Sequence, residues 1–306
     1  MPSFPFSYLI IAGPTASGKS GLAVEVAQHL NGEIINADSL QVYKDLPILT
    51  ARPQGNVNGV PHHLYGVMDS QEKSTAAWWV GQAIHHIKDC MERGKIPILT
   101  GGTGLYLHTL THGIAPIPEI SLETRAKVFS LQENLKKSFY DYVVAQDPFA
   151  ARLHPHDTQR LSRALEVFLQ TGRSIFVWQN NTNPPLTLPH VWCVLEPERD
   201  NLYAQINQRF HAMIQQGALE EVDRLIKHLP STHMLSRAIG VQELGAYLNK
   251  KCSLPEAVEK AQQATRQYAK RQMTWFRNRV QKKIVLCDPN RDTLLQRLLL
   301  CGDVLC

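Results

Sequence analysis

Residues 13–20 read GPTASGKS, from Gly13 through Thr15, Ala16, Ser17, Gly18 and Lys19 to Ser20. The pattern GxxxxGKS after a β-type run and before a helical one makes a phosphate cradle: glycines let backbone N–H groups turn inward, and the helix N-terminus adds partial positive charge. Lys19 reaches terminal phosphates, and the Ser20 hydroxyl can complete a magnesium shell. The cradle recognises a di- or triphosphate tail without specifying a base or the bond that breaks. Asp38, in NADSLQVY, is placed for a second role as general base, magnesium ligand through water, or turn cap. Ser39 is a cap candidate, and Gln41 and Tyr43 are pocket or packing candidates. A third element is GGTG at 101–104, where glycines permit close backbone approach to a ligand and the Thr103 hydroxyl can meet charge on a leaving oxygen.

The elements that carry these residues alternate. Tyr8–Ala12, 33–36, 96–100 and 191–195 read as strands, and 19–30 and 75–93 as helices, the latter with Trp78, Ala83, Ile87, Cys90 and Met91 on its apolar stripe. Alternation implies an α/β fold with a parallel sheet, and ligands in such sheets bind at the carboxyl ends of strands. The cradle, Asp38 and Thr103 all follow strands, so one crevice gathers them. The third strand leaves through ILTGGTGLYL with no acidic residue, which weakens a motor-type ATPase reading. From about 115 to 188 the pattern turns helical (121–139 and 157–171), which reads as an insertion between the two parts of a core, 1–114 and 189–306. Helices at 200–228, 236–249 and 255–283 complete the chain.

Composition sets bounds. The 306 residues are 43% hydrophobic and 19% charged, as a folded protein with one large core requires, and net charge is +5. Residues 251–306 hold eleven Lys/Arg against five Asp/Glu, a local basic excess that suits a polyanion. Seven basic residues and no acidic one occupy 266–283, with Arg266 and Lys270 one helical turn apart and Lys270 and Arg277 nearly aligned. The inserted span is nearly balanced in charge. Six cysteines without a CxxC pair read as free thiols in a reducing compartment, and no His/Cys spacing marks a zinc site. The N-terminal apolar run lacks a signal peptide's basic flank, and no run approaches the roughly 18 apolar residues of a membrane helix.

Taken together, GPTASGKS, ADSLQVY (37–43), VPHHL (60–64), GGTGLYL (101–107), HPHDTQRLSRALEVF (154–168), SRAIGVQEL (236–244) and TRQYAKRQMTWFR (265–277) resemble the bacterial-type tRNA dimethylallyltransferases, in family order and from about residue 8 to 280. The resemblance implies a P-loop NTPase-like core with an inserted helical anticodon stem-loop-binding subdomain. It implies transfer of a dimethylallyl group from its diphosphate to N6 of the adenosine 3′ of the anticodon, in tRNAs reading codons that start with U, with Mg2+ and without ATP. The substrate base must flip out of the anticodon loop. Asp38 would then be the base and Thr103 the leaving-oxygen donor, with the 13–20 loop and Arg237 binding diphosphate. The tRNA partners implied are Ser39, Gln41, Thr50, His62, His63, Gly102, Gln159, Arg160, Arg163, Arg266, Lys270, Arg271 and Arg277. A monomeric, cytoplasmic enzyme is implied as well.

Departures lie at PILTARP, where Pro47 and Leu49 replace the family's usual Asp and Gly, and at IGVQE, where Val241 and Gln242 replace an aromatic and a polar or basic residue. Three rival readings stand beside this one: a small-molecule P-loop kinase, an enzyme that prenylates free AMP, and a tRNA binder without activity.

Overall fold

A computed structural model describes residues 5–300 except Asn181 and Thr232. Two compact units divide the chain, one of residues 1–108 with 186–306 and one of residues 109–185.

The larger unit begins with β1 (Tyr8–Ala12), whose five residues are all buried, as expected of a run such as YLIIA covered on both faces. After the cradle comes α1 (Lys19–Leu30), which buries Leu22, Ala23, Val26, Ala27 and Leu30. Then follow β2 (Gly32–Asn36), the two-residue β3 (His62–His63), α2 (Ala76–Glu92), β4 (Ile96–Gly101) and α3 (Gly104–His112). Helix α2 turns Trp79 and Val80 inward with Ala83, Ile87 and Cys90. The expected stripe is therefore corrected at its ends: Trp79, not Trp78, is the buried tryptophan, and Met91 is 37% exposed. The Trp79 indole N–H donates to the Asn36 carbonyl at 2.7 Å, which rotates the helix into that register.

In the smaller unit, α4 (Leu122–Leu135), α5 (Phe139–Gln146), α6 (Thr158–Thr171) and α7 (Ile175–Trp178) enclose Val128, Phe139, Val143, Leu161 and Leu165. Asp147 is buried at its centre, accepting from the Phe149 N–H at 3.1 Å and the Ser174 hydroxyl at 2.8 Å.

The larger unit resumes with β5 (His190–Leu195), α8 (Arg199–Gln215), α9 (Ala218–His228), α10 (Val241–Leu248), α11 (Leu254–Arg279), β6 (Ile284–Leu286) and α12 (Arg291–Leu300). The helical span expected over 200–228 is broken at Gly217, whose φ of 98° suits glycine. The short β3 and β6 and helix α12 are additions to the sequence reading. All strand pairs are parallel, in the order β3-β2-β4-β1-β5-β6. The chain builds to one side of β1 and then to the other, so the crevice at the end of β1 is where the winding reverses. Among the described residues the four cysteines (90, 193, 252 and 287) are free thiols; Cys301 and Cys306 lie outside them. No described helix is long and apolar enough to cross a membrane.

Candidate active site

The loop leaving β1 is shaped by two left-handed residues, Ala16 (φ 64°) and Gly18 (φ 81°). Alternation of this kind turns successive amides toward one point, and the Lys19 and Ser20 N–H groups of the first α1 turn have no acceptor within the helix. Gly13 is glycine for a packing reason, since a Cβ there would lie 3.0 Å from the Leu195 Cβ. The Lys19 ammonium donates to the Pro14 carbonyl at 3.1 Å. Burial pushes its pKa down to about 8, with the Asp38 charge opposing and Arg209 adding to the fall. Ser17 is only 4% exposed, and its hydroxyl has no hydrogen-bond partner among the described residues. An orphaned hydroxyl inside an anion cradle is a group awaiting a ligand oxygen.

Thr15 is already engaged on both sides. Its N–H donates to the Gln272 side chain at 2.8 Å, and its hydroxyl accepts from Arg209. The Ser17 N–H donates to the Pro14 carbonyl at 3.3 Å, so the loop amides that remain to an anion are those of Ala16, Gly18, Lys19 and Ser20.

Asp38 follows β2. Its N–H is held by Asn36 Oδ1 at 2.9 Å, and its own Oδ1 caps the Leu40 N–H at 2.9 Å, so the turn-cap role holds alongside any other. Two cavities meet at this residue. One, of about 500 Å³, is lined by the 15–20 loop, Gln41, Thr50, Gly101 and Arg209. The other, of about 360 Å³, is lined by Leu49, Phe210, Met213, Met234, Tyr268 and Arg271, among others. Thr15, Asp38, Thr50 and Arg209 face both. The charge of Asp38 also acts on Tyr65 and Tyr268, whose hydroxyls are pushed up, first by burial and then by that charge.

Thr103 lines neither cavity. Its hydroxyl accepts from the Ser39 N–H at 2.9 Å and donates to the Ser39 hydroxyl at 3.3 Å, which braces the Asp38–Ser39 turn. Of the glycines around it, Gly101 lines the phosphate-loop cavity, and all three are also pressed by their neighbours. A Cβ on Gly101 would fall 2.1 Å from the Ala37 carbonyl oxygen, on Gly102 2.1 Å from Gln272 Nε2, and on Gly104 2.4 Å from the Trp275 ring. Helix α11 and the end of β2 press on this loop, and that pressure requires glycine. Gly102 is thus buried beneath Gln272.

The remaining expected site residues sort by partner. Gln41 donates to the Thr50 carbonyl at 2.7 Å and lines the phosphate-loop cavity. His63 faces Glu33 at 2.7 Å, and His62 Nδ1 lies 2.8 Å from the Val60 carbonyl, so both histidines are engaged at the sheet edge. Arg237 is exposed and lines the second cavity, not the phosphate-loop one; the arginine that reaches the loop is Arg209. On α11, Arg266 donates to Asn207 at 2.7 Å and Arg277 to Glu196 at 2.7 Å, leaving Lys270 and Arg271 as exposed cations. In the smaller unit Gln159 and Arg160 are exposed on α6, and Arg163 lies 3.3 Å from Glu166. Of the departures, Leu49 lines the second cavity and packs where a Gly240 Cβ would stand 2.9 Å away. Its N–H and that of Ile48 donate to the buried Glu221 carboxylate at 2.9 and 2.7 Å. Val241 is buried at the start of α10, and Gln242 is exposed.

Two residues of this site were not singled out by sequence. Arg209 and Gln272 lie inside helices α8 and α11, where nothing in the local pattern marks them; Arg209 is half-buried and Gln272 buried.

A family model described as IPP transferase matches residues 41–279, and one described as Isopentenyl transferase matches 7–60. The chain belongs to the IPP transferase family. A tRNA dimethylallyltransferase of Granulibacter bethesdensis is 47% identical over 279 residues, covering 89% of this chain and 86% of that one. The full-length tRNA isopentenylpyrophosphate transferase of Bacillus halodurans superposes with a TM-score of 0.70 at 33% identity, over 98% and 97% of the two chains. A eukaryotic dimethylallyltransferase solved acting on tRNA gives a TM-score of 0.80 at 29% identity, over 97% of this chain and 78% of that one. The core shares the P-loop-like fold of the IPP transferase family.

Proposed function

We propose that this chain transfers the dimethylallyl group of dimethylallyl diphosphate to N6 of the adenosine immediately 3′ of the anticodon, in tRNAs reading codons that start with U. The observation that carries the reading is the place of Asp38, on the wall common to a phosphate-cradle cavity and a second, more apolar one. Diphosphate occupies the first, and the flipped base enters the second, where Phe210, Met213 and Tyr268 offer apolar and aromatic faces. The adenine N6 lone pair attacks the allylic carbon, the carbon–oxygen bond breaks with its electrons passing to the diphosphate, and Asp38 takes the N6 proton. The Lys19 ammonium, the amides of Ala16, Gly18, Lys19 and Ser20, and Arg209 meet the charge as it grows. Thr103 serves by holding the Asp38–Ser39 turn.

Magnesium belongs to this reading. The Ser20 hydroxyl is a hard oxygen donor that would hold it, with Asp38 reaching it only through water, and the orphaned Ser17 hydroxyl fits a bound diphosphate oxygen. When bound, it neutralises diphosphate charge. The exposed Lys270 and Arg271, together with Gln159 and Arg160 of the smaller unit, are assigned to the anticodon stem-loop. A cytoplasmic monomer is part of the same proposal.

The test is nucleoside mass spectrometry after incubation with dimethylallyl diphosphate, magnesium and an unmodified tRNA bearing adenosines at the last anticodon position and 3′ of it. An isopentenyl increment is expected, and none when the 3′ adenosine is guanosine. ATP turnover with no such product would replace this reading with a kinase.

A further inference from the structure

The amide of Gln272 bridges the loops that leave the neighbouring strands β1 and β4, just past the Ala12–Gly101 pair. Its Oε1 accepts from the Thr15 N–H at 2.8 Å, and its Nε2 donates to the Gly102 carbonyl at 2.9 Å. The residue is 6% exposed. A half-buried backbone donor and a buried backbone acceptor facing one side chain need a group that both accepts and donates, and the glutamine amide does so without charge, with its acceptor and donor on one planar group. The contact is close: a Cβ on Gly102 would lie 2.1 Å from Nε2, so a larger residue there must displace the Gln272 amide. From Thr15 the chain of contacts runs on to Arg209, whose guanidinium faces both cavities.

We propose that Gln272 is a positioning residue, which holds the phosphate loop and, through Thr15, Arg209 in the geometry that binds diphosphate. This rests on the phosphate-cradle reading above. The same helix exposes Lys270 and Arg271 two and one residues earlier, so a charged outer face and an internal brace share one rigid element. Glutamate at this position keeps the acceptor for Thr15, loses the donor for Gly102 and adds negative charge near the loop. Methionine keeps the volume and loses both bonds.

The experiment measures dissociation constants for inorganic diphosphate with magnesium, and separately for an anticodon stem-loop, on the wild type, Gln272→Met, Gln272→Glu, Arg209→Gln and the Met/Gln double variant. Folding is followed by thermal melting. The expected result is diphosphate binding weakened at least about tenfold in both Gln272 variants, with stem-loop binding changed less than twofold. The double variant should bind diphosphate no more weakly than Arg209→Gln alone by the full Gln272 factor, since the two act in series. KM for the prenyl diphosphate should rise more than kcat falls. Diphosphate affinity within twofold of wild type in a folded Gln272 variant, or losses that fully multiply with Arg209→Gln, would overturn the proposal. Should Gln272→Met not fold, Gln272→Glu decides alone. A wild type that binds diphosphate yet transfers nothing to RNA refutes the prenyl-transfer reading and leaves this test intact.

Discussion

Asp38 spends one carboxylate oxygen on the Leu40 N–H, so the group is oriented before any substrate arrives. A base fixed where the amine proton is released needs position more than an altered affinity for protons. Asp38→Asn keeps an acceptor for Leu40 and removes the proton acceptor; single-turnover transfer should slow about 10²- to 10⁴-fold while diphosphate still binds. Arg209→Gln should weaken diphosphate binding by about 1.5–3 kcal/mol, the scale of a hydrogen bond to a charged group, as calorimetry would register. Lys19 adds a pH dependence. Its pKa in the free protein is lowered to about 8, and a bound diphosphate raises it again, so binding gains from the charged form below that value. Affinity for a dimethylallyl thiodiphosphate, already ionised, should decline above pH about 8, by up to about tenfold per unit, and Lys19→Met should flatten the curve.

At the scale of elements, β1, β4 and β5 were legible as apolar runs because nearly every residue of each is buried, as in parallel strands, while β2 carries only Ile34 and Ile35 as its apolar signal. Two- and three-residue strands such as β3 and β6 carry no period to read. The Glu33–Arg93 tie was equally hidden, since it joins the start of β2 to the end of α2 across sixty residues of chain. Arg93 donates to both Glu33 oxygens and is the main reason the Glu33 carboxyl falls to about 2, with His63 and Cys90 adding to the drop against the opposing effect of burial. A carboxylate with a depressed folded pKa contributes stability above its unfolded value near 4.5 and loses that contribution as pH falls toward 2. Glu33→Gln should therefore destabilise the protein by about 2–3 kcal/mol at pH 7 and remove part of the acid sensitivity between pH 4.5 and 2.5, as urea titrations at several pH values would record. The cradle and Asp38 were readable as local patterns. Arg209 and Gln272 were not, because their meaning comes from partners in distant segments, Thr15 and Gly102.

At the scale of the molecule, the charge excess of the C-terminal part is offset where Arg277 and Lys283 meet Glu196, while Arg266 is held by the neutral Asn207 and keeps its full charge. Stem-loop affinity should fall with salt, and replacing Lys270 and Arg271 together with alanine should lower the log–log slope by about 1.5–2, the loss of two phosphate contacts, without altering diphosphate affinity. The strand order has a further consequence, for synthesis. Tyr8 pairs with His190, and Gly13 rests against Leu195, so the sheet on either side of the cradle closes only after the whole smaller unit has been translated. A nascent chain emerging from the ribosome therefore holds its first strand with one flank unpaired, while α4–α7, whose contacts are local, can collapse first. Anion binding is among the last properties this polypeptide acquires as it is made.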